Sequence, residues 1–167
     1  TLYARFGDKE GLFAAIIASL GLLPRIDLPI DAGVPITAQT LGVMLAGLIL
    51  GARLGAYAVM LFLIVVAIGM PLLAGGRGGI GVFFGPTAGF LFGWIPGAWI
   101  AGAIGGGRSR IGDRGGKRAL QLARSMAGAF TGGVLAIYVC GIAWLAWVVG
   151  MGVKAAALAS LVFLPGD

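Results

Sequence analysis

Charged residues leave four long gaps in this chain. Residues 32–52, 54–76, 78–107 and 125–153 contain no ionisable side chain except Tyr57, Tyr138 and Cys140. A helix crosses the roughly 30 Å hydrocarbon core of a bilayer with about 20 residues, so each gap is long enough to hold a span. The pattern predicts a first apolar helix over residues 11–23, ended by Pro24 and short for a span. Residues 2–6 extend it past a charged turn at 8–10. A polar loop, 25–35, follows. Further helices are predicted over 36–50 and 54–69, with a tight turn at Gly51-Ala52-Arg53 between them. A glycine-rich loop, 72–84, leads to a helix over 86–104, and a hydrophilic segment, 105–118, leads to a long helix over 120–149. The last segment, 153–163, is apolar but short, and is placed in an outer loop running from 150 to 167.

Composition sharpens this picture. Of 167 residues, 59% are hydrophobic and 11% charged, with a mean hydropathy of +1.03. Soluble domains carry nearer a quarter of charged residues, so this chain cannot cover its surface for water and takes lipid as its solvent. It contains no His, which removes imidazole metal sites and His-based catalysis. Its six carboxylates are scattered singly. Neither an enzyme nor a metal site is expected. The single Cys140 allows no disulfide within the chain and reads as core packing.

The net charge of +6 does not point to nucleic acid. Arg108, Arg110, Arg114, Lys117 and Arg118 sit together in the segment 105–118, a short basic loop that marks the cytoplasmic side and attracts anionic lipid headgroups. Alternation then puts the N-terminus and the Arg53 turn inside, and the loops 25–35, 72–84 and 150–167 outside.

Glycine, at 32 residues, is too frequent for turns alone. Gly85, Gly89, Gly93, Gly97, Ala101 and Gly105 recur every four residues, a stripe that lets another helix backbone come close. Gly47, Gly51 and Gly55 continue the theme, and Ala14-x-x-x-Ala18 repeats it. Packing within the bundle accounts for most of these; a face for a partner subunit is the alternative at Ala14 and Ala18.

Candidate ligand chemistry lies on the outer side. Pro35, Pro86 and Pro165 each suit the first position of a helix, so three helix N-termini, with positive dipole ends, are expected around one vestibule that favours an anionic group. Over it lies Ala74-Gly75-Gly76-Arg77-Gly78-Gly79. Gly76, Gly78 and Gly79 would let backbone approach a ligand, and Arg77 would meet a carboxylate. Gly76-x-Gly78-x-x-Gly81 formally matches a dinucleotide fingerprint but follows a helix and lacks the later acid, so it is set aside. Polar residues at membrane depth are few; Thr37, Gln39, Thr87 and Tyr138 are pocket candidates, with helix-to-helix hydrogen bonding as the alternative role for each.

These strings resemble the BioY family, the substrate-binding S components of energy-coupling-factor (ECF) transporters that take up biotin. The resemblance rests on Val34-Pro35-Ile36-Thr37-Ala38-Gln39-Thr40-Leu41-Gly42, on Gly69-Met70-Pro71 leading into Gly75-Gly76-Arg77-Gly78-Gly79, on Gly85-Pro86-Thr87-Ala88-Gly89-Phe90, and on Phe163-Leu164-Pro165-Gly166-Asp167. Ala88 stands where the family usually has glycine. The resemblance implies a compact all-α membrane bundle of six transmembrane helices. Five are expected here, the sixth truncated because the chain stops at Asp167. It divides the chain into an atypical segment, 1–10, and a substrate-binding transmembrane domain, 11–167.

It further implies a bacterial cell-membrane location, biotin as transported substrate rather than cofactor, and as partners a transmembrane coupling subunit and two ATPase subunits. Asp167 would accept from the ureido N–H groups of biotin. Phe83, Phe84 and Phe90 would pack its ring and chain. Ala14 and Ala18 would dock the coupling subunit. Residues 1–13 also resemble the end of the DNA-reading helix of tetracycline-repressor-like regulators, but the two helices that such a reader needs before it are missing, so DNA binding is not expected. The alternatives within this reading are an S component for another vitamin and a non-catalytic membrane packing subunit.

Overall fold

A computed structural model describes residues 26–27, 35–36, 39–106, 116–150 and 152–161. Their elements are two short strands, β1 (Ile26–Asp27) and β2 (Pro35–Ile36), and the helices α1 (Gln39–Leu50), α2 (Ala52–Ala67), α3 (Ala88–Gly105), α4 (Gly116–Gly128), α5 (Ile137–Val149) and α6 (Val153–Leu161). A 3-10 turn, Ile80–Phe83, precedes α3, and a π-helical segment, Ala129–Ala136, joins α4 to α5 in one continuous rod. The described residues thus form five helical rods.

Two of these rods, Ala88–Gly105 and Ala119–Val149, are long and apolar enough to cross a bilayer, while α1 and α2 are shorter. Length alone would equally suit a buried helix of a soluble protein. The surface decides. On α1, Leu41, Leu45 and Ile49 point outwards at four-residue spacing, while Val43, Ala46 and Gly47 are buried. On α2, Tyr57, Leu61 and Ile64 are exposed and Val59, Phe62 and Val66 are inside. Trp99, Phe130, Leu135, Val139 and Trp147 continue the apolar exterior, Trp147 at 76% exposure. A surface this apolar is matched by acyl chains and not by water. The chain is a membrane protein.

Small residues fill the inside. A side-chain carbon on Gly97 would lie 2.7 Å from the Gly132 carbonyl oxygen and 3.0 Å from Ile137, and one on Gly105 would lie 2.8 Å from the Cα of Ser125. The four-residue stripe of α3 therefore faces the long rod, whose backbone runs against it antiparallel. Another side of α3, at Ala98 and Gly102, meets Gly47 and Gly51. Helices associate by this kind of close backbone contact where lipid gives no hydrophobic drive. Large side chains fill the remainder: Phe62, Val43, Val59, Val66, Trp94 and Ile137 form one cluster, with the Phe62 and Trp94 rings 6.1 Å apart.

Gln39 at the start of α1, the end of α2, the start of α3 and the end of α5 share one end of the bundle; the Gly51 turn and Gly105 share the other. α2 stops in a Schellman arrangement: Gly69 N–H donates to Val66 O at 3.0 Å and Met70 N–H to Val65 O at 3.3 Å. Pro71 follows directly.

Several expected boundaries shift. Pro35 does not open α1; it pairs with Asp27 across the β1–β2 ladder, whose other pair is Ile26 with Ile36. Pro86 precedes the N-cap of α3, which is Thr87. α2 begins at Ala52, so Gly51 alone makes the turn. The expected outer loop after residue 150 instead contains α6, which packs on α5 with Ala156 and Ser160 buried. A nine-residue helix has little stability of its own, so this contact, not local sequence pattern, specifies it. The expected helix over 11–23 lies outside the described residues.

Candidate functional site

Within residues 39–106 only two side chains are charged, Arg53 and Arg77. Arg53 lies in the first turn of α2 and Arg77 beyond its last, so the length of that helix, about 24 Å at 1.5 Å per residue, separates them. Arg77 is exposed at the tip of the α2–α3 loop, at the end where α1 and α3 begin. Arg77 beside two helix N-termini makes that end suited to an anion.

The loop is built by a small number of backbone contacts. Leu73 and Arg77 exchange hydrogen bonds, Leu73 N–H to Arg77 O at 3.0 Å and Arg77 N–H to Leu73 O at 3.3 Å, closing a tight turn through Gly75 and Gly76. Gly76 has φ 66 and Gly79 has φ 87, both in the region that side chains resist. Gly78 lies against the Met70 carbonyl, where a side-chain carbon would be 2.7 Å from the carbonyl carbon. Gly79 N–H donates to Val66 O at 2.8 Å, tying the loop back to the end of α2. Arg77 Nε reaches Ala74 O at 3.4 Å.

Gln39 is 2% exposed, and its amide spans from α1 to this loop. Nε2 donates to Leu72 O at 2.8 Å, and Oε1 accepts from Ala74 N–H at 2.9 Å. Thr87 is half-buried at the N-cap of α3 and makes no side-chain cap bond. The first amides of α3 are partly engaged by the turn before it: Ala88 N–H donates to Gly85 O at 3.1 Å and Phe90 N–H to Thr87 O at 3.1 Å. Tyr138 lies deeper, buried on α5 and edge-on to Phe90 with ring centroids 5.7 Å apart.

Of the three phenylalanines, Phe83 and Phe90 pack partly buried against the core cluster, whereas Phe84 is 73% exposed. The structure therefore brings Gln39 together with the loop of Gly76, Arg77, Gly78 and Gly79, places Thr87 at the same end, and sets Tyr138 below them beside Phe90. Thr37, Asp167, Ala14 and Ala18 lie outside the described residues. One participant had no signal in the sequence: Trp144 on α5 donates its indole N–H to Gly85 O at 3.1 Å and packs tilted against Phe92 and edge-on to Trp147, ring centroids 5.5 Å apart in both pairs. Among the described residues, no three His, Cys, Asp or Glu gather to form a metal site.

The sequence profile of the BioY family matches residues 10–167. The chain belongs to the BioY family. Among its relatives, the biotin transporter BioY of Rhizobium etli is 50% identical, over 93% of this chain and 81% of that protein. The biotin transporter BioY of Rhodobacter capsulatus is 46% identical, over 94% of this chain and 82% of the relative. Among solved structures, the S-component for biotin from an ECF-type ABC transporter has a TM-score of 0.78 and 27% identity, covering 99% of this chain and 84% of that one. The relatives are transporters, a role without covalent chemistry, and the glycine loop with its arginine belongs to the region that this BioY family member shares with them.

Proposed function

We propose that this chain is the substrate-specific membrane subunit of a biotin uptake system, binding biotin at the outer face of a bacterial cell membrane. The carrying observation is its likeness, over 99% of its length, to the S-component for biotin. The chemistry of the loop end supports the ligand. Biotin carries a carboxylate on an apolar chain, with a ureido ring of two N–H donors and a carbonyl. Arg77 receives the carboxylate with a charge-assisted hydrogen bond, aided by the positive ends of α1 and α3. Gly76, Gly78 and Gly79 let the backbone close on it, Thr87 offers a hydroxyl at the same end, and Thr37 is assigned as a further hydroxyl donor on its sequence alone. Phe83, Phe90 and Tyr138 pack the apolar chain and ring, and Asp167 accepts from the ureido N–H groups.

A charge-assisted pair contributes about 1.5–3 kcal/mol, so Arg77→Ala should weaken biotin about tenfold or more and leave biotin amide nearly unchanged. Equal losses for acid and amide, measured by titration of the detergent-solubilised protein, would show that Arg77 does not contact the carboxylate.

Energy for uptake comes, in this reading, from an ECF transmembrane coupling subunit and two ATPase subunits, with Ala14 and Ala18 forming the small-residue face that docks on the coupling subunit. Ala18→Trp should then abolish transport and co-purification with the coupling subunit while leaving the biotin titration as it was. Loss of biotin binding in that variant would place Ala18 in the bundle interior instead.

A further inference from the structure

We propose that Gln39 is a positioning residue that sets the place of Arg77 by pinning the loop beneath it; this rests on Arg77 as the receiver of the ligand carboxylate. The residues from 72 to 79 include Gly75, Gly76, Gly78 and Gly79, and a loop so rich in glycine loses more conformational freedom than most when it is ordered. Something rigid must hold it if its arginine is to have one address. Two holds come from α2 and its end: Gly79 N–H on Val66 O, and Gly78 against Met70. Both act after Arg77 in the chain.

The hold before it is Gln39. Its side chain uses a donor and an acceptor at once on backbone 33 and 35 residues away, Leu72 O and Ala74 N–H. This fixes both sides of Leu73, the residue that exchanges backbone bonds with Arg77. Gln39 is itself held, as the first residue of α1, with Val43 and Ala46 of the next turns fully buried. The order of support thus runs from the core through α1 and the Gln39 amide to Leu73, and from Leu73 to Arg77. A buried amide is costly unless bonded, which explains why Gln39 has partners; it does not explain why both partners are in the one loop that carries the cation.

The test uses the whole protein in detergent, with biotin and biotin amide titrated into wild type, Gln39→Met, Arg77→Ala and the double variant. Met keeps the length of Gln and removes both hydrogen bonds. Wild type should prefer biotin over its amide about tenfold, and each single variant should bring that preference close to one. The double variant should bind biotin no more weakly than the weaker single variant, since Gln39 acts through Arg77. Gln39→Met with the wild-type preference, or losses that multiply in the double variant, would overturn the positioning role. Arg77→Ala with the preference intact would overturn the reading of Arg77 on which it rests. Amide hydrogen exchange in the wild type gives a readout free of any folding defect: Ala74 N–H should exchange at least about tenfold more slowly than Gly76 N–H, and equal rates would mean that no latch exists.

Discussion

Two populations of glycine divide this molecule between them. In the bundle, Gly97 and Gly105 have ordinary helical backbone and no room: a side-chain carbon would run into the Gly132 carbonyl or the Ser125 backbone. In the α2–α3 loop, Gly76 and Gly79 have nothing within 4 Å of that position but carry φ of 66 and 87. The first group is needed for space and the second for conformation. The same residue type therefore serves packing at one place and the shape of the Arg77 loop at the other, and substitution should separate the two.

Gly97→Val should have the largest effect. The obstacle is a backbone carbonyl in the π segment, which cannot rotate away, so overpacking costs about 1–3 kcal/mol or more. Thermal unfolding of the detergent-solubilised protein should drop sharply, and most of the protein should aggregate. Unchanged melting would mean that α3 and the rod part easily and that the stripe is not a packing device. Gly76→Ala should act in the opposite manner. It meets no atoms, and the left-handed conformation costs about 1 kcal/mol, which converts to about fivefold in affinity if the loop relaxes away from its bound shape. Melting should hardly change. A melting loss as large as that of Gly97→Val would remove the distinction between the two groups.

The bundle was legible from sequence because its rule is local. A four-residue spacing of Gly93, Gly97, Ala101 and Gly105 marks one helix face without reference to any partner, and the structure puts that face on the long rod. The helix starts were less legible. Proline has two uses near a helix, and only the pairing with its neighbouring strand, as between Pro35 and Asp27, shows that one is in a ladder. The helix α6 was missed because a short apolar stretch reads as loop until its neighbour is known.

At the loop end the residues were legible in the sequence but their relations were not. Arg77 and its glycines stand out as a lone cation in a flexible run. The bonds of Gln39 to Leu72 and Ala74, and of Trp144 to Gly85, join segments 33 to 59 residues apart and have no local trace. A polar residue on the outer half of a membrane helix marks Gln39 as a pocket candidate or as a hydrogen-bonding residue between elements; which partners it takes is set by tertiary packing.

The claim on which these relations depend is that this bundle holds biotin. Calorimetric titration of the purified protein with biotin, and separately with riboflavin, tests it most directly. The account predicts saturable heat with biotin, competition by desthiobiotin, and no heat with riboflavin. No heat with biotin, alongside saturable binding of another vitamin, would contradict it.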